Sequence, residues 1–337
     1  TAALLMCAAQ LTQAKQAVNS PPAFISADQL GVIVNDDDEL SQKIADYYQK
    51  ARHIPPQNLL HVKFPPKQKQ LDSKLFSLIK QRLDQSTPAN IQAYALTWAE
   101  PYRVGCMSIS SAFAFGYDEK YCASGCKMTE KNPFAGSNSH QPFADFAIRP
   151  TMLLAAASFD DAKQLIDRGV QSDYSRPLQG SAYLVETPDP HRNVRKAFFP
   201  QAKQVIGGAI PVKEIKAKAI YKKDDVMFYF TGDVFVEGIN TNHYLPGAMA
   251  DHLTSTGGQL TDSSQMSALK WLQAGATGSY GTVVEPCNIL AKFPHPIVAI
   301  ASYLRGDTLI EAYWRSVLMP GQGVFIGEPL ARPYGIQ

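Results

Sequence analysis

Leu30-Gly-Val-Ile-Val-Asn35 is a continuous apolar run that ends on an amide. A run without polar alternation marks a strand buried on both faces, as in a parallel sheet covered by helices. Asp36-Asp-Asp-Glu39 follows, then Leu40, Ile44, Tyr47 and Tyr48 at helical spacing. The acids cap that helix and favour its positive end, and Pro55-Pro56 stops it. Residues 58–64 read as a second strand, 71–83 as a second helix and 91–98 as a third strand. This βαβαβ order predicts a parallel sheet with right-handed crossovers.

The rhythm breaks over residues 105–149, which are rich in Gly, Ser, Asn and Pro and hold three cysteines. So long an interruption of a compact domain is a functional or stapled embellishment. Alternation then resumes. Strands are expected at 152–157, 181–186, 226–231 and 278–284, and helices at 160–171, 193–206, 264–272, 297–304 and 309–317. A short apolar segment at 324–326 follows. The expected organisation is one large α/β domain over 24–337 with an irregular, Cys-containing insertion at 105–149.

With 337 residues, 45% hydrophobic and 18% charged, the chain has the composition of a globular protein and not of a disordered one. Its net charge is +2 with both signs interspersed, so nothing marks a nucleic-acid partner, and basic residues between 213 and 223 read as a solvated face. No apolar run is long enough to span a bilayer. The opening Thr1-Ala-Ala-Leu-Leu-Met-Cys-Ala-Ala9 reads as a signal-peptide remnant within residues 1–20, the alternative being an N-terminal helix with Leu4, Leu5, Ala8 and Leu11 on one face. Export would place the protein in the periplasm or outside the cell. Four cysteines remain beyond Cys7: Cys106, Cys122, Cys126 and Cys287. In an oxidising compartment they allow two disulfides in three connectivities. Cys122 and Cys126, four residues apart, are expected to pair, leaving Cys106 with Cys287. Zinc is the competing reading of the short spacing, but no second close Cys or His pair accompanies it; neither a metal nor a cofactor is expected.

Standard catalytic signatures are absent. Gly275-Ala-Thr-Gly-Ser-Tyr-Gly281 lies between a helix and a strand, whereas a dinucleotide loop follows a strand and opens a helix. Polar residues cluster instead at expected carboxyl ends of strands, where open α/β sheets bind ligands. The candidates are Asn35, Asp36, Trp98, Glu100, Arg103, Asp233 and Glu285. Glu100 and Glu285 are each followed by Pro; they suit acid–base work or, more simply, ion pairs with Arg103 or Arg149. Asp251-His252 carries hydrolase residue types, but on an expected helix the two neighbours diverge and form no triad.

Several segments together resemble a family of exported bacterial proteins found in genomes that carry the exosortase protein-sorting system. They are Leu30 to Asn35 with Arg52-His-Ile-Pro55, Ala99-Glu-Pro-Tyr-Arg103, Asp167-Arg-Gly169, Pro246-Gly-Ala-Met-Ala-Asp-His-Leu-Thr-Ser255, Gly275 to Pro286, and Gly321-Gln-Gly-Val-Phe-Ile-Gly-Glu-Pro329. The resemblance implies export and a link to envelope or extracellular-matrix biology, with other matrix proteins or further copies of the chain as partners. More distantly, the C-terminal half is similar to gingipain-type cysteine peptidases, which implies a caspase-like, doubly wound sheet. Those enzymes place a His-Gly after one strand and a Cys after the next. Here residues 226–231 lead into Gly232, none of the seven histidines precedes a glycine, and Cys287 follows too late a strand. The expectation is therefore a non-catalytic binding or assembly scaffold. The alternative is an unorthodox hydrolase using Cys287 or His252, with Glu285 as a further candidate.

Overall fold

The computed structural model describes residues 24–123, 125–177 and 180–336, so the N-terminal reading of residues 1–20 lies outside the described residues. In chain order the regular elements begin with β1 (Leu30–Asn35), α1 (Glu39–Arg52), β2 (Leu59–Val62), β3 (Gln70–Leu71), α2 (Ser73–Ser86) and β4 (Ala93–Leu96). Next come β5 (Arg103–Val104), β6 (Met107–Ser108), α3 (Ile109–Phe115), α4 (Pro142–Phe146), β7 (Thr151–Leu153), α5 (Phe159–Ser172) and β8 (Ser181–Glu186). Then follow α6 (Phe199–Ile206), β9 (Val212–Lys216), β10 (Val226–Gly232), β11 (Tyr244–Leu253), α7 (Leu269–Gln273) and β12 (Gly278–Thr282). Finally come α8 (Pro296–Leu304), α9 (Leu309–Ser316) and β13 (Gly323–Gly327).

Ten strands form one sheet in the order β2-β1-β4-β7-β13-β12-β11-β10-β8-β9. Pairing is parallel from β2 to β7 and again from β12 to β9. Between the two sets lies β13, antiparallel to β12 over five residues and meeting β7 where Ile326 faces Leu153. The opening run behaves as its composition dictates: every residue of β1 is buried. Asp38 caps α1 by accepting from the Leu40 amide, and Ser41, Ile44, Ala45 and Tyr48 form its buried stripe.

One expectation about local structure needs correction. Tyr244–Leu253 is a ten-residue strand, so Asp251 and His252 stand on a strand and not on a helix, and a further strand separates residues 226–232 from 278–282. The basic stretch contains β9, the last strand of the sheet on that side. The 105–149 segment also carries more structure than its composition advertises. Six of the seven residues of α3 are buried, Ser108 and Ser111 donate to the carbonyls of Gly323 and Pro320, and Ser110 accepts from the Phe325 amide. The segment thus anchors β13. The cysteine pairing differs as well. Cys106 joins Cys122 and Cys126 joins Cys287. Spacing in sequence favoured the local pair, but the fold brings Cys126 and Cys287 within 5.4 Å (Cα–Cα) across 161 residues.

Behind β13 sits a buried carboxylate. Glu328, with no exposed surface, accepts from Tyr48 Oη (2.6 Å), Arg52 Nε (3.1 Å) and the Leu330 amide (3.2 Å). Arg52, whose side chain is 7% exposed, also pairs with Asp173 just beyond α5. The carboxylate holds the buried Tyr48 hydroxyl in its neutral form, well above the ordinary phenol range, adding to the larger effect of burial. Gly169 faces it so closely that a Cβ there would come within 2.5 Å of the Glu328 side chain. Removing one partner of a buried ion pair strands the other charge. Glu328→Ala is therefore expected to destabilise the fold by about 3–5 kcal/mol, read from urea unfolding midpoints; a change under ~1 kcal/mol would show that Asp173 alone satisfies Arg52. Non-reducing peptide mapping should yield the linked peptides Cys106–Cys122 and Cys126–Cys287, and a Cys122–Cys126 peptide would refute this connectivity.

Candidate functional site

The loops leaving the carboxyl ends of β4 and β11 meet: Thr261 donates to Glu100, and Tyr102 donates to Asp262 at 2.6 Å. Lys69 pairs with Asp262 at 2.5 Å. The loop after β11 also reaches the end of β12, where Gly258 donates to the Thr282 carbonyl and Gln259 to that of Val283. Two depressions open along this edge. One, of about 350 Å³, is lined by His191, Arg192, Thr254, Ser255, Glu285 and Asn288 among others. The second is a groove of about 850 Å³ between the loop after β10 and the 260–274 segment. Its apolar lining includes Phe235, Val236, Ile239, Leu260, Met266 and Leu269.

The residues chosen from sequence are mostly occupied in holding this edge together. Asn35 is buried and spans two strands: its amide donates to the Phe64 carbonyl (3.0 Å) and its oxygen accepts from the Phe64 and Asp37 amides. Asp36 meets His61 Nδ1 at 2.6 Å on the surface. Trp98 is core, packed edge-on against Phe64, with its indole donating to the Pro101 carbonyl. Asp233 accepts from the next amide, and exposed Glu285 from the Cys287 amide at 2.8 Å. The ion pairs expected for the two carboxylates do not form. Arg149 instead meets Asp84 and the Ile91 carbonyl, and the buried Arg103 Nε has no hydrogen-bond partner among the described residues.

His252 is fully enclosed. Its Nδ1 accepts from Trp271 Nε1 at 2.9 Å, which leaves Nε2 protonated to donate to the Met266 carbonyl at 3.0 Å. Burial lowers its pKa to about 3 against the weaker pull of that carbonyl, with Arg195 and Arg192 adding to the fall. A ring with both nitrogens engaged and a pKa far below neutrality is no general base. Next to it Asp251 pairs with Arg195 at 2.5 Å, both side chains being almost wholly buried. Burial nevertheless pushes that carboxyl up to about 6, outweighing Arg195. Cys287 is tied to Cys126 and offers no thiol.

At the ends of the adjacent strands β10 and β11 stand Thr231-Gly232 and Thr254. Gly232 leaves no room for a side chain, since a Cβ would lie 1.8 Å from the Arg192 carbonyl oxygen. Thr254 donates to Gln265 Oε1 at 2.5 Å and accepts from Arg192 Nε at 3.3 Å. Sequence reading missed Arg192 and Gln265, because neither sits in a recognisable motif and their role comes only from the strand β11. A separate group, His140, Asp307 and Glu311, has metal-ligand types with ligand atoms within 4.8 Å of one another. Arg315 lies among them, paired with Asp307 and 3.2 Å from His140 Nδ1. A guanidinium there supplies the positive charge a metal would bring.

No protein-family profile matches the chain, and no curated protein matches it in sequence. The solved complex of the pro- and mature domains of Porphyromonas gingivalis RgpB is similar in three dimensions. Its TM-score is 0.53 over 90% of this chain and 79% of that one, at 9% sequence identity. The fold is gingipain-type and caspase-like. At that identity the likeness extends to architecture, the mainly parallel ten-stranded sheet with flanking helices, and not to chemistry. Among the described residues no helix is long and apolar enough to cross a membrane.

The depressed histidine has a measurable consequence. In the unfolded chain His252 takes up a proton near pH 6.5, whereas in the fold it does so only near pH 3. Its contribution to stability is present above pH 6.5 and is lost as pH falls through that window. Asp251 acts with opposite sign, since its folded carboxyl binds a proton before the unfolded one. The difference between wild type and His252→Gln therefore isolates the histidine. The wild-type advantage in urea midpoint should shrink steadily from pH 7 to pH 4, and a constant difference would contradict the assignment.

Proposed function

We propose that this protein is an exported binding or assembly scaffold that uses the caspase-like fold without peptidase chemistry. The reading rests above all on the ends of β10 and β11, where Thr231-Gly232 and Thr254 occupy the strand ends at which the gingipain-type resemblance would put a His-Gly and a Cys. Thr254 is held between Arg192 and Gln265, and neither His191 nor Glu285, which line the same depression, hydrogen-bonds to it. The hydrolase alternative has little to work with, because Cys287 is in a disulfide and both ring nitrogens of His252 are engaged. The two disulfides agree with an oxidising compartment. A role in the envelope or extracellular matrix, alongside exosortase-sorted proteins, rests on the sequence resemblance.

A binding role needs a surface, and the groove supplies one of ordinary ligand-site size. Its two walls are joined where the Met266 amide donates to the Val234 carbonyl at 3.0 Å, so it is preformed. Purified, non-reduced protein is expected to leave a mixed peptide library uncut over a day by mass spectrometry. It should also remain unlabelled by thiol-directed peptide analogues. Cleavage that disappears in Cys287→Ala, or in Thr254→Val, would overturn the scaffold reading.

A further inference from the structure

The groove beside the strand ends has a chemistry that narrows its occupant. Resting on the binding role proposed above, we infer that it takes an extended peptide segment in which a bulky apolar side chain lies next to a carboxylate. The floor is apolar, formed by the buried Val236, Leu260, Met266 and Leu269, while Phe235 stands at the lip with 56% of its surface in solvent. An apolar side chain entering there removes this surface from water.

Charge decides the rest. Lys270 is the one ionisable side chain in the lining, it is exposed, and among the described residues no carboxylate pairs with it. Two of the acids on the neighbouring loops are neutralised by lysines. Glu237 accepts from Lys218 (2.6 Å) and Tyr221 (3.1 Å), and Asp262 from Lys69 and Tyr102, while Glu100, hydrogen-bonded by Thr261, and Asp233, by the Val234 amide, lie outside the lining. Within the lining itself the one charge is positive and stands beside an apolar floor, the complement of an acidic–apolar segment.

Polar groups along the rim favour a peptide over a single-chain lipid of the same charge. The side-chain amides of Asn240 and Gln273 are exposed in the lining and make no internal hydrogen bond among the described residues. A peptide backbone offers them donors and acceptors at regular spacing, whereas an alkyl chain would bury them unpaired at a cost. The walls need little rearrangement. Gln265 Oε1 gathers Thr254 Oγ1 and the amides of Ser255 and Thr256, and Ser267 Oγ donates to the Leu260 carbonyl. Rigid walls lower the ordering cost of binding.

The test uses the full disulfide-bonded chain and three dye-labelled hexapeptides that share a Leu-Phe core flanked by Glu, Gln or Lys. Binding is followed by anisotropy, and the site by amide resonances of residues 235–240 and 260–274. The Glu peptide should bind about tenfold tighter than the Lys peptide at low salt, and the gap should close toward 0.5 M salt. Lys270→Glu, at an exposed position and checked by circular dichroism, should reverse the order. Phe235→Ser should weaken all three. Equal binding of the three peptides, unchanged in Lys270→Glu, would overturn the acidic occupant and leave a binding groove standing. Laurate shifting the groove resonances while no peptide does would replace the peptide by a lipid. No response to any probe would overturn both the occupant and the groove as the binding surface.

Discussion

A buried carboxylate at the end of the central strand holds this molecule together. Glu328 has no contact with water, and an isolated ion in that position would be driven to neutrality. It remains in place because Tyr48 and Arg52 come from α1, the Leu330 amide from its own turn, and because Gly169 on α5 leaves space beside it. Two helices on one face of the sheet and the strand in its middle are thereby fixed to one another. One residue before Gly169, Arg168 reaches the other way, donating to the Leu272 and Ala276 carbonyls that precede β12. The Asp167-Arg-Gly169, Gly275-Ala-Thr-Gly278 and Gly-Glu-Pro329 segments therefore work as one joint.

The motifs behind the family resemblance find their explanation in architecture more than in chemistry. Glu100 and Tyr102 fasten the loop after β11, and Asn35 stitches β1 to the chain beyond β2. Asp251 and His252 close the core beneath the strand ends through Arg195 and Trp271. Of the polar residues at strand ends, Asn35 and Trp98 satisfy backbone groups that would otherwise be buried without partners, and Asp233 and Glu285 hold turn amides nearer the surface, an obligation that falls on strand termini whether or not they bind anything.

The alternating strands and helices were legible because their signals are local. Apolar runs such as Leu30 to Asn35 and Ser181 to Glu186, and stripes such as Ile44, Ala45 and Tyr48, carry their period within a few residues. Strand β11 escaped because Pro246, Gly247, Asp251 and His252 interrupt any period. It is a strand only because Arg195, Trp271 and Met266 meet its polar side chains after folding. The disulfides failed for the same reason. Cys122 and Cys126 are neighbours in sequence, yet each bonds to a cysteine that only the fold brings near. Of the groove, sequence offered almost nothing, since its lining comes from two loops without a shared motif.

The place of β13 sets a timetable for biosynthesis. It is the last of the described strands in chain order, yet it fills the middle of the sheet between β7 and β12. Until Gly323–Gly327 is available, β7 and β12 are open edges able to pair with other chains. The two parallel halves made earlier remain unjoined, and one of the two pairings that close them, Ile326 with Leu153, is the most distant in sequence of the sheet's strand pairings among the described residues. Such topologies collapse late and slowly. A nascent chain of this kind stays open until that strand emerges, which makes it a natural client for holding chaperones and a poor candidate for early, irreversible compaction.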